Sequence, residues 1–171
     1  MPMTDPVRVL SSRFGQRYEN ALYEPMVGSV ERLRFPTSFP DDDGDLLRLL
    51  PSVDIFHLHW PELLLPPDLT IHLRLIERLE DAGVKIVWTQ HNLLPHVSHP
   101  EWPAIYASWA DAADGVIHHS EWGMARALEF REFRPNAVHR VIRHGHWGAL
   151  RQPLPEWNRT LLAENYHIYL L

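Results

Sequence analysis

Lys85-Ile86-Val87-Trp88-Thr89 is a five-residue apolar and β-branched run, preceded by Gly83 and followed by the polar triplet Gln90-His91-Asn92. A half-solvated strand would alternate apolar and polar residues, and this one does not. Such a run is buried on both faces, which in a chain of this length means a parallel sheet sandwiched between helices.

Further runs repeat the pattern. Val7 to Leu10, Val30 to Phe35, Val53 to Trp60, Gly115 to Ser120 and Ala137 to Ile142 read as strands. Between them lie helical segments: Tyr18, Leu22, Tyr23 and Met26 at helical spacing, Leu46 to Leu50, a helix opened by Asp68, Tyr106 to Ala113, and Trp122 to Phe133. In the helix after Asp68 the expected apolar stripe is Leu73, Ile76, Leu79 and Ala82. Six strands alternating with helices predict an α/β fold, a Rossmann-like parallel sheet with helices on both faces and right-handed crossovers. Residues 1–148 form that domain. Residues 149–171 are expected to be a proline-bearing linker and a terminal strand.

Composition narrows the chemistry. The 171 residues contain no cysteine, which removes disulfides, thiol nucleophiles and thiolate metal sites and leans towards a reducing compartment. A net charge of −6 argues against nucleic acid as a partner. No run is long and apolar enough to span a bilayer, and the first ten residues lack a signal-peptide layout, so the expected location is cytoplasmic. Twelve histidines are unusual, and in solvent they would raise the net charge as pH falls through about 6.5.

The carboxyl ends of the strands carry the candidate site. Ser11 to Gly15, His59 to Glu62, Gln90 to Asn92, His118 to Glu121 and His144 to His146 would gather along one sheet edge, where open α/β folds bind ligands. His96, His99, Glu101 and Trp102 follow in a loop expected to be mobile and to wall that cleft. Ser120 is placed to cap the helix after the fifth strand, leaving N–H groups that favour phosphate. His57 and His59 share a face at period two, but no third ligand follows at zinc spacing. His57 reads as a satisfied core residue and His59 as a site-edge one. Asp41-Asp42-Asp43 reads as a solvated loop and helix cap, not a hard-cation site. No metal is expected.

The segments DIFHLHWPE (54–62), VWTQHNLLPH (87–96), ADGVIHHSE (113–121) and VIRHGHWG (141–148) together resemble, in order and spacing, the amino-terminal half of GT-B glycosyltransferases. Among these the chain is most similar to the large retaining group called family 4. The resemblance implies the acceptor-side domain of a two-domain enzyme that moves a sugar from a nucleotide-sugar, with retention and without a cofactor or catalytic metal. It gives His91 the catalytic position against the transferred sugar, with Asn92 beside it. Glu62, His59, Trp60, His96, His119 and Glu121 become acceptor- or sugar-binding residues. Ser12, Arg13, Phe14 and Gly15, with His144 and Gly145, fall on the donor-phosphate side. Many members carry a glycine pair in the first of these loops, whereas this chain has Gly15 alone.

The donor-binding domain implied by the resemblance is expected after Leu171, in the same chain or as a separate partner, and residues 1–171 alone are expected to be inactive. Acceptors in the family are glycans, small molecules or lipid-linked sugars, which implies possible peripheral contact with the inner face of the membrane. The alternative, from a different functional class, is a non-catalytic acceptor-binding or regulatory module that kept the cleft and lost the chemistry.

Overall fold

A computed structural model describes residues 5–143. His144, Gly145 and the expected linker and terminal strand over 149–171 lie outside the described residues. Six strands, β1 (Val7–Ser11), β2 (Val30–Arg34), β3 (Ile55–Leu58), β4 (Lys85–Thr89), β5 (Gly115–His118) and β6 (Val138–Val141), form one sheet in the order β2-β1-β3-β4-β5-β6. Every neighbouring pair is parallel. The helices are α1 (Arg17–Tyr23), α2 (Gly44–Leu49), α3 (Pro61–Leu64), α4 (Leu69–Asp81), α5 (Trp102–Ala112) and α6 (Glu121–Phe130). This is the expected α/β arrangement.

The register follows from two aspartates at strand starts. Asp54 accepts the Arg8 backbone N–H at 2.8 Å and Asp114 accepts that of Ile86 at 2.9 Å, each fixing a neighbouring strand. Leu10, Phe56, Leu58, Ile86, Trp88 and Val116 then fall on one face by alternation, where Leu46, Leu75, Leu79, Ile105 and Trp109 from α2, α4 and α5 complete the core. Burying each of these large side chains contributes about 1.5–3 kcal/mol. On the opposite face Val9, Ser11, His57 and Thr89 are buried, and Tyr23 of α1 hydrogen-bonds His57 there.

Three local expectations change. The buried face of α4 is His72, Leu75, Ile76 and Leu79, whereas Leu73 is 46% exposed. The helix turns His72 inward because both ring nitrogens find partners there: the Trp109 indole N–H donates to Nδ1 at 3.0 Å, and Nε2–H donates to the Pro66 carbonyl at 3.1 Å. The helix α5 begins at Trp102, not Tyr106, because Pro103 occupies its first turn, where proline costs no hydrogen bond. Finally, α6 stops at Phe130, not Phe133. Arg131 is extended there and its guanidinium turns inward to donate to the Leu93 carbonyl at 2.6 Å, over the Tyr106 ring at 5.0 Å.

Candidate functional site

The strand order reverses between β1 and β3, so their carboxyl ends flank a topological switch point. The backbone there is pinned before any site chemistry is considered. The His59 N–H donates to Ser12 Oγ at 3.0 Å, and the Trp88 indole N–H donates to the His59 carbonyl at 3.1 Å. Leaving β3, the chain presents Trp60, and leaving β4 it presents His91; their rings stack at 3.8 Å with planes 13° apart.

His59, His91 and His119 form the floor. His59 Nδ1 lies 3.3 Å from His91 Nε2, and the His91 and His119 rings are 5.0 Å apart. Tyr18 of α1 stands edge-on to all three, at 5.7, 5.1 and 5.9 Å. The Ile142 carbonyl, 3.0 Å from His119 Nδ1, can only accept, so Nδ1 carries a hydrogen; in the neutral ring Nε2 then accepts from the Tyr18 hydroxyl, 3.3 Å away. Burial raises the Tyr18 pKa and keeps that hydroxyl protonated.

Burial also decides the charge of the histidines beneath. His57, between the Tyr23 hydroxyl and Thr89 Oγ1, is pushed down to about 4 by desolvation. His59 is pushed down to about 2, first by desolvation and then by the neighbouring imidazoles and Arg13. His72 and His118 each fall to about 4, mainly through burial. The expected rise in net charge near pH 6.5 therefore excludes these four, which stay neutral. His57 is a satisfied core residue as expected, but His59 is more than a site-edge residue: it is 1% exposed, and its Nε2 has no partner.

The other candidates divide between the cleft and the framework. Ser12, Arg13 and Phe14 line a pocket of about 350 Å³ with Arg34, Phe35 and Thr37 from the end of β2 and beyond. Arg32 and Arg34 both lie over the Phe14 ring, at 5.2 and 5.1 Å. Gly15 has φ +88 with open space where a side chain would be, and its N–H donates to Glu19 at 2.7 Å. Asn92 and His96 pair through Nδ2 and Nε2 at 3.1 Å on the exposed side. Glu121 is exposed in the first turn of α6. Glu62 turns to α5 and accepts the Tyr106 hydroxyl at 2.6 Å, with its second oxygen buried and unpartnered. In the loop after His96, Glu101 accepts the Leu69 N–H at 2.6 Å and Trp102 is 4% exposed; both serve the fold, not a cleft wall.

Sequence reading passed over Tyr18, assigned there only as a helix-spacing residue, and Arg34, which lies at the end of an edge strand. Neither carries a local signal, because Tyr18 and His119 meet across 101 residues. Among the described residues no group of three or more His, Cys, Asp or Glu side chains is arranged to hold a metal ion. No helix among them is long and apolar enough to cross a membrane.

No protein-family model matches the chain, and no curated protein matches it. Among solved structures it is similar to a probable N-succinyldiaminopimelate aminotransferase from Thermus thermophilus, at 11% identity and a TM-score of 0.35, over 57% of this chain and 28% of that one. The chain thus spans under a third of that protein's length.

Proposed function

We propose that this chain is the acceptor-side domain of a retaining glycosyltransferase, holding an acceptor against a sugar delivered from a nucleotide-sugar. The observation that carries this reading is the Trp60–His91 stack at the carboxyl ends of β3 and β4, beside the switch point and backed by His59 and Tyr18. An indole face beside a hydrogen-bonding imidazole suits a sugar ring, which offers apolar C–H faces and hydroxyl edges. Held there, an acceptor hydroxyl gains its rate advantage from position and not from a strong base.

The neighbouring pocket suits the donor's phosphates. Arg13 and Arg34 line it, and at Gly15 beside it no side chain blocks the approach. Guanidinium donors aimed at a diphosphate stabilise the charge that develops as it leaves. In this reading the donor-binding domain is supplied in the same chain or by a partner, the acceptor is a glycan, a small molecule or a lipid-linked sugar, and the protein works in the cytoplasm or at the inner membrane face. No resident cofactor or metal is part of the reading.

The test supplies the chain with its continuation, or with a separately encoded donor-binding domain, and follows transfer from a panel of nucleotide-sugars. Transfer that disappears in His91→Ala, with the thermal midpoint unchanged, is the expected result. Glycoside binding with no transfer under any donor would instead identify a non-catalytic module, and absence of both would overturn the sugar reading.

A further inference from the structure

We propose that the pocket between Gln90 and the start of α6 is a subsite for a phosphomonoester on the acceptor, as a sugar phosphate or a phospholipid headgroup. The identity of its carrier rests on the acceptor-side reading above, whereas the anion contact stands on its own residues. The pocket has a volume of about 190 Å³ and is lined by Gln90, Leu93, His119, Trp122, Gly123 and Arg126, among others.

Gln90 is the decisive residue. Its backbone is locked into the sheet by an N–H bond of 2.9 Å to the Ile117 carbonyl, so the side chain has little freedom to seek partners elsewhere. It is 7% exposed, and neither its amide oxygen nor its amide nitrogen has a hydrogen-bond partner. A buried primary amide left unsatisfied on both atoms is a cost to the fold that an incoming polar group removes.

The opposite wall supplies the complementary charge. Ser120 Oγ accepts the Gly123 N–H at 2.9 Å and the Ser120 carbonyl accepts that of Met124 at 3.0 Å. The Glu121 and Trp122 N–H groups have no acceptor within the helix, and the dipole of this ten-residue helix points its positive end the same way. One turn further, Arg126 lines the pocket while pairing with Glu129 at 2.6 Å in a largely exposed ion pair, which exchanges readily for a better anion. None of the lining residues is acidic. Backbone N–H, amide and guanidinium groups are the donors that the terminal oxygens of a phosphomonoester accept from.

Placement links this pocket to the proposed acceptor site. His91 and His119 line it as well, so it adjoins the Trp60–His91 stack, and Trp122, 72% exposed, offers an indole at its rim. A single acceptor can therefore set its phosphate at α6 and its sugar ring at Trp60.

The experiment follows backbone and side-chain amide resonances of the full chain while inorganic phosphate, glucose 1-phosphate and acetate are added at constant ionic strength, and while phosphatidylcholine vesicles with or without phosphatidic acid are added. Saturable shifts at the Gln90 side-chain amide and the Glu121 and Trp122 N–H groups are expected for the phosphates and not for acetate. Gln90→Leu is expected to weaken phosphate binding about tenfold while raising the thermal midpoint, because it removes the unsatisfied amide. Arg126→Gln, at an exposed position, is expected to weaken binding similarly and carries the test alone if Gln90→Leu misfolds.

Tighter binding of glucose 1-phosphate than of inorganic phosphate identifies a soluble sugar phosphate; binding confined to phosphatidic acid vesicles identifies a headgroup. Shifts reproduced by acetate, or affinity unchanged in Arg126→Gln, overturn the proposal. Loss of glycoside-induced shifts at Trp60 and His91 sinks the sugar reading alone, because the phosphate shifts at α6 are read separately.

Discussion

Trp60 lies flat against His91, ring centroids 3.8 Å apart, although the two residues leave different strands and are 31 positions apart in sequence. Each ring fixes the other. The imidazole cannot rotate away without uncovering the indole, and His59 holds it at Nε2 from below. A side chain with two or three possible rotamers is thereby held in one, which is what a positioning group at a sugar needs.

Replacing Trp60 with alanine removes the ring that His91 packs against and frees the imidazole to change rotamer. The indole face offered to the sugar goes with it, and losing an aromatic contact of about 0.5–1.5 kcal/mol should lower glycoside affinity roughly two- to twelvefold. His91→Ala should lower sugar transfer by the two-domain protein at least about 100-fold, the scale of a lost acid, base or orienting group. Ligand-observed NMR and product formation measure the two effects, and thermal unfolding within a few degrees of wild type confirms that neither is a folding defect. A large loss of stability in His91→Ala would make the residue structural.

His72 is buried between α4 and α5, bridging the Trp109 indole and the Pro66 carbonyl. His72→Leu keeps the volume and leaves the Trp109 indole N–H without an acceptor, whereas the Pro66 carbonyl still accepts the Asp68 N–H at 2.8 Å. An orphaned buried donor costs about 1–3 kcal/mol, so urea unfolding should show a loss of that size. A loss under about 1 kcal/mol would mean that water or a shifted carbonyl replaces the ring.

Acid should destabilise the domain before its carboxylates titrate. His57, His59 and His72 have folded pKa values pushed down to about 4, about 2 and about 4, below the ordinary value of 6.5. The unfolded chain therefore binds protons that the folded one refuses. This stability is fully present above pH 6.5 and is lost as pH falls towards the folded values. Between about pH 5.5 and 4.5 each of these rings contributes a slope on the order of 1 kcal/mol per pH unit, in the same direction. Denaturant titrations at stepped pH measure it, and a flat profile between pH 6.5 and 4.5 would show that the rings are hydrated.

Much of the fold was legible because a doubly buried strand leaves an unambiguous trace: β4 was bounded correctly from its apolar run alone. Helix phase was harder. At α4 a leucine competed with a histidine for the buried stripe, and what decided it was Trp109, 37 residues away. The strand ends predicted where the site lies, since every strand of a parallel sheet delivers its carboxyl end to the same edge. They did not predict which polar residues face it. Glu62 and His59 read alike in DIFHLHWPE, yet tertiary contacts put one against Tyr106 and the other beneath His91.

That division of Glu62 from the cleft is open to a double-mutant cycle. The Tyr106 hydroxyl donates to Glu62 at 2.6 Å, and burial with the adjacent carboxylate raises the tyrosine pKa, so the hydroxyl remains a donor throughout the ordinary pH range. Tyr106→Phe leaves a carboxylate without its donor, and Glu62→Leu leaves a hydroxyl without its acceptor; each should cost about 1–3 kcal/mol. In the double variant neither orphan exists, so its cost should fall short of the sum by about 1–2 kcal/mol, as expected for directly bonded partners. Glu62→Gln should lose less than either, since the amide oxygen still accepts from Tyr106. Strictly additive costs in the cycle, with glycoside binding lost in Glu62→Gln, would return Glu62 to the cleft as an acceptor-binding residue.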